Sequence, residues 1–566
     1  MLPATNIPSF RVDDPDQTAD DVLVALRGLG DSIEIPRRLI RVLIEYLRRY
    51  TLDDDEQTPS FAGGRLLVAE PGPGVEPTDE QFGLDTVEGY ASSITLTLAA
   101  LGFAKVFRTR LTRSDLVAET DELERLASYR LTAAMAGLLR SFTINVFASD
   151  SPAGVEVLRM VNQADAPRRR VVEGLRFQLR DTMAGLRDLN LGISSVQDLD
   201  VPDRLFECGW SWGPTQDAPE IPSIDGGRQR AGYAIEAPYL YFTVVALDAI
   251  AELFSQRTQV LALISDDQSR LLDALRKRWD LTQRYWSTLA SFGRGRWPVE
   301  DIPWRTTDGY ESDYFSLLVT SIAARDLASQ RDTDLDLTRL GDLLGELGNR
   351  GRVTRRPTER DPAAVVHHPG MALRLEGAEN FGPALAWQAI DFAPLLLKRT
   401  FRLAQLINGI ELRSRLLILA DAVWQHIEGR RSGSGPFRDL WDQPGQIFSD
   451  IDAFKQPSWH HTLRVVESLV IAANVAAAQP LRSLPLSAHA EHLLTEAEHL
   501  YDQELVAGSD NAGRLIRDRT TLMGIQLRRA REILPERPAT ATALLVAILQ
   551  ELDVLASARE DVFGTS

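Results

Sequence analysis

The amino-acid sequence predicts an all-α protein whose long helices form helix-pair repeats, either as an α/α toroid or as a curved solenoid with its long loops on one face. Three observations predict this fold class. Apolar residues recur at spacings of three and four along most of the 566 residues, alternating segments typical of strands are scarce, and similar loop-to-helix junctions recur at multiples of about 73 residues.

The helical spacing is clearest in the segment that follows Ser265. Leu271, Leu275 and Trp279 begin one broad apolar stripe, and Ser265 is a typical N-cap residue. The same spacing predicts helices at about 34–50, 86–110, 114–147, 166–188, 232–257, 310–328, 333–349, 380–408, 411–428, 458–478, 487–533 (with a break near Gly508) and 538–557. Strand-like sequence is confined to two weak candidates, 64–69 and 170–176.

Four junctions carry the apparent internal period. They align on Thr97, Thr243, Ser316 and Thr462, and the gaps between these positions are 146, 73 and 146 residues. All three gaps are multiples of 73 residues. Such a period is typical of helix pairs that repeat around an axis or along a solenoid, with their insertions on one face. The alternative is that helix starts resemble one another, because the same capping residues recur there.

This pattern divides the chain into three regions. They are an N-terminal helical segment (1–50), a helical-repeat body (51–485) and a C-terminal helical segment (486–566). The body contains long loops rich in Gly, Pro, Asp or Arg, at about 51–85, 189–231, 293–309, 350–379 and 429–457. Compact domains rarely carry loops longer than about 15 residues without a function, so a site is expected in these loops.

Composition argues against several classes of function. With 62 Lys and Arg against 80 Asp and Glu, the net charge of −18 opposes binding to nucleic acid and to anionic membranes. The single cysteine, Cys208, allows neither an intrachain disulfide nor a cysteine-rich zinc site. No signal-peptide pattern is present and no apolar stretch reaches the ~20 residues of a membrane span, so a cytoplasmic protein is expected. No motif predicts a cofactor.

Tryptophans in the long loops are the predicted residues for binding a ligand or partner: Trp210, Trp212, Trp297, Trp304 and Trp441. Trp210 and Trp212 belong to Gly-Trp-Ser-Trp-Gly, and an aromatic platform of this kind suits a sugar or a cation. The alternative is that the indoles anchor their loops to the protein body, since aromatic side chains contribute much free energy when buried.

Carboxylates near these tryptophans are the candidate catalytic residues: Asp217, Glu220, Asp308 and Glu311. Two carboxylates at a cleft support acid–base catalysis when their pKa values are split. For Glu311 the alternative is structural, because the helix dipole favours an acidic residue at a helix start.

One segment has the spacing of a metal site. His489, His492, Glu496 and His499 are offset by 3, 7 and 10 residues, which places them on one helical face. The pair Glu496 and His499 matches the Glu-x-x-His element of di-iron helical bundles, but the sequence contains no second such element. A solvated helical face is the preferred interpretation, and no metal is expected.

Three functional hypotheses follow. The first is a helical-repeat scaffold that binds another protein through its long-loop face, and it fits the absence of catalytic motifs. The second is an α/α-toroid enzyme that acts on a glycan, peptide or isoprenoid, with tryptophans and carboxylates in the loops. The third is a component of a larger assembly. Convergence of the tryptophan loops on one pocket favours the enzyme, whereas an open groove favours the scaffold.

Overall fold

The structure is a computed structural model that contains two compact units. It describes residues 1–52, 55–70, 75–111, 113–189, 194–222, 227–293, 295–330, 334–353, 361–407, 409–444, 447, 456–477, 484–507 and 514–563. Unit 1 comprises Met1–Ile407 and Glu411–Ala476, and unit 2 comprises Asn408–Ile410 and Ala477–Ser566. The fold is about 65% helix and 9% strand.

Unit 1 contains most of the helices. They are α1 (Leu2–Asn6), α2 (Asp20–Ala25), α3 (Glu34–Arg49), α4 (Asp79–Phe82), α5 (Val87–Arg108), α6 (Ser114–Arg140), α7 (Pro152–Val161), α8 (Arg168–Gln178), α9 (Arg180–Arg187), α10 (Leu240–Leu253), α11 (Gln256–Val260), α12 (Asp266–Ala290), α13 (Asp313–Gln330), α14 (Asp334–Arg350), α15 (Phe392–Leu406), α16 (Ile410–Glu428) and α17 (Trp459–Ala477).

Unit 1 also contains four small antiparallel sheets within its described residues. Their strands are β1 (Thr51–Leu52), β2 (Asp55–Pro59), β3 (Leu67–Glu70), β4 (Phe142–Ala148), β5 (Arg204–Trp210), β6 (Trp304–Arg305), β7 (Glu311–Ser312), β8 (Met371–Leu375) and β9 (Ala384–Ala389). The pairs are β1–β2, β4–β5 and β6–β7, and the fourth sheet has the order β3-β9-β8. Phe142 pairs with Trp210 at one end of β4–β5, and Leu67 pairs with Trp387 in the three-stranded sheet.

Helices α5 and α10 lie at the centre of the core of unit 1. Thr86 begins α5, because its side chain accepts a hydrogen bond from the Gly89 amide. Apolar residues occupy every side of both helices rather than one stripe, which is typical of helices enclosed by other elements. Most residues of α10 are accordingly buried, and α5 packs against both α6 and α10.

The prediction of an all-α toroid or solenoid of helix-pair repeats is wrong. Small sheets interrupt the helices, and the fold is mixed and helix-rich. The four junctions of the apparent period are not equivalent: Thr97 lies in the middle of α5, whereas Thr243, Ser316 and Thr462 lie in the first turns of α10, α13 and α17. Shared capping patterns at helix starts therefore explain the resemblance of the last three.

The strands were missed for a local reason. The segment 114–147 reads as one helix, but α6 ends at Arg140 and β4 begins at Phe142. Thr143, Ile144 and Val146 are β-branched and favour a strand, yet the long helical pattern before them dominates any sequence window. Strand β5 lies in the predicted loop 189–231. Of the two weak strand candidates, 64–69 overlaps β3, and 170–176 lies in helix α8.

Unit 2 is a bundle of α18 (Leu484–Ala507), α19 (Arg514–Ile533) and α20 (Pro538–Phe563). Its buried residues repeat every four and three positions: Ala541, Leu545, Ile548, Leu552 and Leu555 in α20, and Met523, Leu527 and Ala530 in α19, with Leu534 directly after that helix. A spacing that averages 3.5 residues keeps one seam of each helix against its neighbours, as in coiled coils. The sequence of unit 2 therefore specifies a bundle packed along heptad positions.

Two described helices are long and apolar enough to cross a membrane by length and composition alone. One is α5, whose apolar window is 78% buried, as expected of a core helix. The other is Pro538–Ser557 of α20, with mean hydropathy 1.6 and only 22% of the window buried. Helix α20 therefore presents more apolar surface than the seam of its own bundle covers.

Candidate functional site: a charged cleft in unit 1

A cleft of about 270 Å³ opens on unit 1 between α5, α10, α15 and α17. Its apolar wall includes Leu98, Val470 and Ile471. Its charged wall is formed by Glu252 of α10, Lys398 and Arg402 of α15, and Glu467 of α17, with Thr95 of α5 beside them. Polar groups that converge on an otherwise apolar concavity are the usual composition of a ligand site.

Helical spacing places these charges. Lys398 and Arg402 are four residues apart on α15, so their side chains lie on one face of that helix. Asp248 and Glu252 have the same spacing on α10. Helix α17 contributes Glu467 to the same region. Three helices of mostly apolar sequence therefore direct charged side chains toward one part of the interior.

Lys398 joins the cleft to a buried charge network. Its Nζ donates to Glu467 Oε2 at 2.9 Å and lies 3.1 Å from Asp248 Oδ2. The Lys398 side chain is 11% exposed and that of Glu467 is 10% exposed. Such groups are stable in a protein interior only when partners of opposite charge compensate for lost hydration.

Asp248 collects further cations behind the cleft. Arg399 donates to both of its carboxylate oxygens, at 2.7 and 3.1 Å. Arg325 of α13 donates to the same carboxylate. Two-point contacts between guanidinium and carboxylate are strong and fix the orientation of both groups. Asp248 therefore ties α10 to α13 and α15.

Arg464 of α17 organises the other half of the network. Its guanidinium donates to Glu88 Oε1 at 2.6 Å and lies 3.4 Å from Asp391 Oδ2 and 3.3 Å from Glu467 Oε2. The Tyr241 hydroxyl donates to Glu88 at 3.0 Å, and the Tyr314 hydroxyl donates to Asp391 at 2.5 Å. Arg464 therefore links two buried carboxylates, Glu88 and Asp391, to Glu467 in the wall of the cleft.

The network is balanced in charge. It contains four carboxylates and four cations: Glu88, Asp248, Asp391 and Glu467, with Arg325, Lys398, Arg399 and Arg464. Burial alone would raise the pKa of Glu88, but Arg464 and His460 lower it well below the usual range. Glu88 is consequently ionised at neutral pH inside the protein.

The two glutamates of the cleft differ in pKa. Burial raises the pKa of Glu252, and the nearby charge of Glu467 raises it further. Burial also acts to raise the pKa of Glu467, but Lys398 and Arg464 outweigh it and lower that pKa. Burial lowers the pKa of Lys398, yet we assign the ionised form to the Lys398–Glu467 pair because each member has a second partner of opposite charge.

Glu252 and Arg402 are two ionisable side chains of the cleft that have no ion-pair partner among the described residues. Each influences the pKa of the other, and Glu252 is hydrogen-bonded to the side chain of Thr95, but no ion pair of Glu252 or Arg402 is found within the described part of the chain. Arg257, at the rim, donates instead to Thr5 O and Asn6 Oδ1, both at 2.5 Å. A carboxyl group and a guanidinium therefore remain available in the cleft to a bound molecule.

A second buried polar cluster lies apart from the cleft. Arg430 donates to both oxygens of Asp442, at 2.7 and 2.5 Å, and to His367 O at 3.2 Å. His461 Nδ1 is 3.9 Å from Asp442 Oδ2, and the rings of His367 and His426 are 4.5 Å apart. Burial lowers the pKa of His367 to about 3 and that of His461 to about 4. These histidines are neutral at physiological pH.

Four of the five tryptophans predicted to bind a ligand or partner are buried. The indole N–H groups of Trp210, Trp212 and Trp441 donate to backbone carbonyls at 2.9, 2.9 and 2.8 Å. Trp304 is 2% exposed, and its backbone N–H donates to Ser316 Oγ. Trp297 is half-buried, with the Arg339 guanidinium 3.9 Å from its ring centroid. This is the geometry of indoles that anchor loops.

The four predicted carboxylates do not line the cleft. Asp217, Glu220, Asp308 and Glu311 are exposed, and Glu311 accepts a hydrogen bond from Arg305. The structure places Asp308 close to Glu207, a buried glutamate of β5 that sequence reasoning did not select. Burial raises the pKa of Glu207 to about 8, although the Thr307 hydroxyl donates to it at 2.7 Å and Asp308 adds to the increase.

The residues with metal-like spacing lie on α18. His489, His492, Glu496 and His499 are all exposed, and the His499 ring is hydrogen-bonded to Gln503 at 2.9 Å. Among the described residues no group of three or more His, Cys, Asp or Glu side chains has the geometry to hold a metal ion. The cleft of unit 1 likewise offers both cations and carboxylates rather than a set of ligands for one ion.

Sequence reasoning missed the cleft because its residues form no motif. One signal was present: charged residues interrupt strongly apolar helical segments, as in Leu395-Leu396-Leu397-Lys398-Arg399. Lys, Glu, Arg and Asp are rarely buried unless paired, so such positions indicate a buried network. A search for them would have selected Glu88, Asp248 and Glu467.

Comparison with known proteins identifies a family. No curated protein and no solved structure shows a significant match to the chain. The sequence model of the family described as SCO2524-like matches residues 1–563. That match spans both compact units, including the cleft and the helical bundle. The chain therefore belongs to the SCO2524-like family.

Proposed function

We propose that unit 1 binds a small polar molecule that carries both an anionic group and a cationic or hydrogen-donating group. The observation that carries this proposal is the pair Glu252 and Arg402, two ionisable residues that face the cleft without an ion-pair partner among the described residues. A ligand with both kinds of group would complement them together. A zwitterion of the size of an amino acid has this chemistry.

The dimensions of the cleft support a small ligand. Its volume of about 270 Å³ lies just below the common range for sites that hold drug-sized molecules. The apolar wall at Leu98, Val470 and Ile471 would contact the uncharged part of the ligand. Lys398 and Glu467 would stay bound to each other and fix the floor of the site.

Acid–base catalysis on the bound molecule is a second candidate function. The opposite pKa shifts of Glu252 and Glu467 favour it, since one group then holds a proton while its neighbour is ionised. Environments that push two carboxyl pKa values apart are typical of acid–base pairs. In this role Glu252 would donate a proton, and Glu467 would hold the negative charge that keeps Glu252 protonated.

Binding of another protein through the long-loop face stays a prediction with less support than the cleft. Trp210, Trp212 and Trp304 would have to leave their buried positions before they could contact a partner. Such exposure would also break the indole hydrogen bonds of Trp210 and Trp212 to the backbone. Affinity purification of the tagged chain with mass spectrometry of the retained proteins tests this prediction directly.

Thermal denaturation tests the proposed ligand site. We expect at least one compound from a panel of amino acids, small dicarboxylates and diamines to raise the Tm of unit 1, since a ligand at about 100 times its Kd stabilises the native state by about 2.7 kcal/mol. All ten tryptophans lie in unit 1, so their fluorescence follows that unit alone.

Matched variants locate the binding. Glu252→Gln and Arg402→Gln are each expected to abolish the increase in Tm, whereas Arg415→Gln, an exposed arginine outside the cleft, is expected to preserve it. A panel without any active compound, or a response unchanged in both cleft variants, would contradict the proposal. If Glu252→Gln instead retains binding of a ligand that the native chain converts, and loses only the conversion, the result would favour the proton-donor role of Glu252 over its role in binding.

A further inference from the structure

Residues 1–7 contribute to the wall of the cleft in unit 1. Leu2 and Asn6 line the cleft together with Leu98 of α5 and Arg402 of α15. Leu2 and Asn6 are four residues apart on α1, so one face of this short helix is turned toward the cleft. A molecule bound in the cleft would therefore lie against α1.

Few contacts hold residues 1–7 in place. Ala4 is the only apolar side chain among them that is fully buried, and the other apolar side chains are half-buried. Arg257 donates to Thr5 O and to Asn6 Oδ1, both at 2.5 Å. Within the described part of the chain, these are the hydrogen bonds that join residues 1–7 to any residue beyond Phe10. A segment with so few buried apolar contacts and hydrogen bonds opens at a low cost in free energy.

A glycine of α5 makes room for the Arg257 side chain. A Cβ atom at position 102 would lie 2.8 Å from Arg257 Nη2, which is closer than the two atoms can approach, so Gly102 permits the guanidinium to lie against the helix. Arg257 forms no ion pair with a described residue. No carboxylate within ion-pair distance therefore competes with Thr5 and Asn6 for the Arg257 guanidinium.

We infer that residues 1–7 are a lid on the cleft, which Arg257 holds closed and which opens to admit a ligand. This inference rests on the proposed ligand site, since it assigns to the lid the control of access to that site. Local opening of a weakly attached segment is the usual way in which a lid admits a ligand. Gly102 positions Arg257, and Arg257 in turn fastens α1 at the cleft.

A single reactive thiol measures access to the cleft without any ligand. Ala99 of α5 lines the cleft and is 6% exposed, whereas the native cysteine, Cys208, is fully buried. In the full-length Ala99→Cys chain, the rate of reaction with iodoacetamide therefore reports how often the lid is open.

Two variants of the Ala99→Cys chain release the lid by different routes. Arg257→Ala removes both hydrogen bonds to the lid and is expected to raise the rate of thiol modification about tenfold, because hydrogen bonds from a charged group are stronger than neutral ones. Gly102→Ala is expected to raise the rate as well, because the added methyl group displaces Arg257. Alanine favours a helix more than glycine does, so α5 stays intact in this variant.

Arg415→Ala, at an exposed arginine outside the cleft, is the matched control and should leave the rate unchanged. A rate that neither Arg257→Ala nor Gly102→Ala raises, or an equal increase in Arg415→Ala, would overturn the lid. The thiol reaction needs no ligand, so the two proposals fail separately. Variants that open the cleft of a chain that binds no compound of the panel would contradict the ligand site alone. A ligand that binds while the thiol rates stay unchanged would contradict the lid alone.

Discussion

Lys398 Nζ lies 2.9 Å from Glu467 Oε2 at the point where the open cleft of unit 1 meets its buried charge network. On the inner side Lys398 contacts Asp248, and Glu467 contacts Arg464. The Lys398–Glu467 ion pair is therefore part of the cleft and part of the buried charge network. A change in either residue alters the wall of the cleft and removes a partner from a buried charge.

Glu467→Gln is expected to lower the free energy of unfolding of unit 1 by about 3 kcal/mol, because Lys398 and Arg464 each lose a buried partner of opposite charge. Urea denaturation followed by tryptophan fluorescence measures this loss. The control is Asp342→Asn, which breaks an exposed pair with Arg415 and should cost less than about 1 kcal/mol. Equal effects of the two substitutions would show that the buried network contributes little.

Acidification from pH 7 to pH 5 is expected to destabilise unit 1 through its buried histidines. The unfolded chain takes up protons below pH 6.5, whereas His367 and His461, with pKa values of about 3 and 4, stay neutral when folded. The unfolded state then binds more protons, so stability falls as the pH falls. His461→Asn should make this dependence shallower, and His489→Asn, at an exposed site, should not. The readout is the tryptophan-monitored Tm at each pH.

Glu207→Gln is expected to stabilise unit 1, and the gain in stability is expected to grow as the pH rises. The folded state keeps Glu207 protonated up to its pKa of about 8, whereas the unfolded chain ionises it above pH 4.5. Glu207 therefore costs stability increasingly as the pH rises between these values, and the variant should gain on the order of 3 kcal/mol at pH 7. Glu411→Gln, at an exposed glutamate, should give no gain. A gain that is constant from pH 5 to pH 8 would contradict the assignment.

Trp212→Ala is expected to lower the free energy of unfolding by about 3–5 kcal/mol, because the indole is fully buried and donates to Glu376 O. Trp459→Ala removes an indole that is 60% exposed and should have a small effect. Urea denaturation of both variants makes the comparison. A stable Trp212→Ala variant that loses binding to a partner would instead support the predicted binding role.

Local sequence patterns predicted the individual helices better than their arrangement. Ser265 and the apolar stripe after it predicted α12, which runs from Asp266 to Ala290 as expected. The arrangement into repeats failed because capping residues recur at any helix start and carry no information about which helices pack together. The sequence analysis missed strand β4 because its partner, β5, lies about 60 residues further along the chain, beyond the reach of a local pattern.

The cleft was unpredictable from motifs for a related reason. Glu252, Lys398 and Glu467 come from three distant helices, and each has neighbours in sequence that read as ordinary core. What makes them a site is the folded core that brings them together. The tryptophans were predicted to bind a ligand because aromatic residues in a loop are typical of binding sites. Aromatic residues are equally typical of loops that are anchored by burial.

The contact between Glu88 and Arg464 spans 376 residues of sequence. A ribosome that adds about 5–20 residues per second completes that interval in about 20–75 s. During synthesis the carboxylate of Glu88 therefore emerges long before the guanidinium that neutralises it, together with the apolar faces of α5 and well ahead of those of α10. Completion of the unit 1 core must follow translation of α17, so the nascent chain is exposed to aggregation and to chaperones for most of its synthesis.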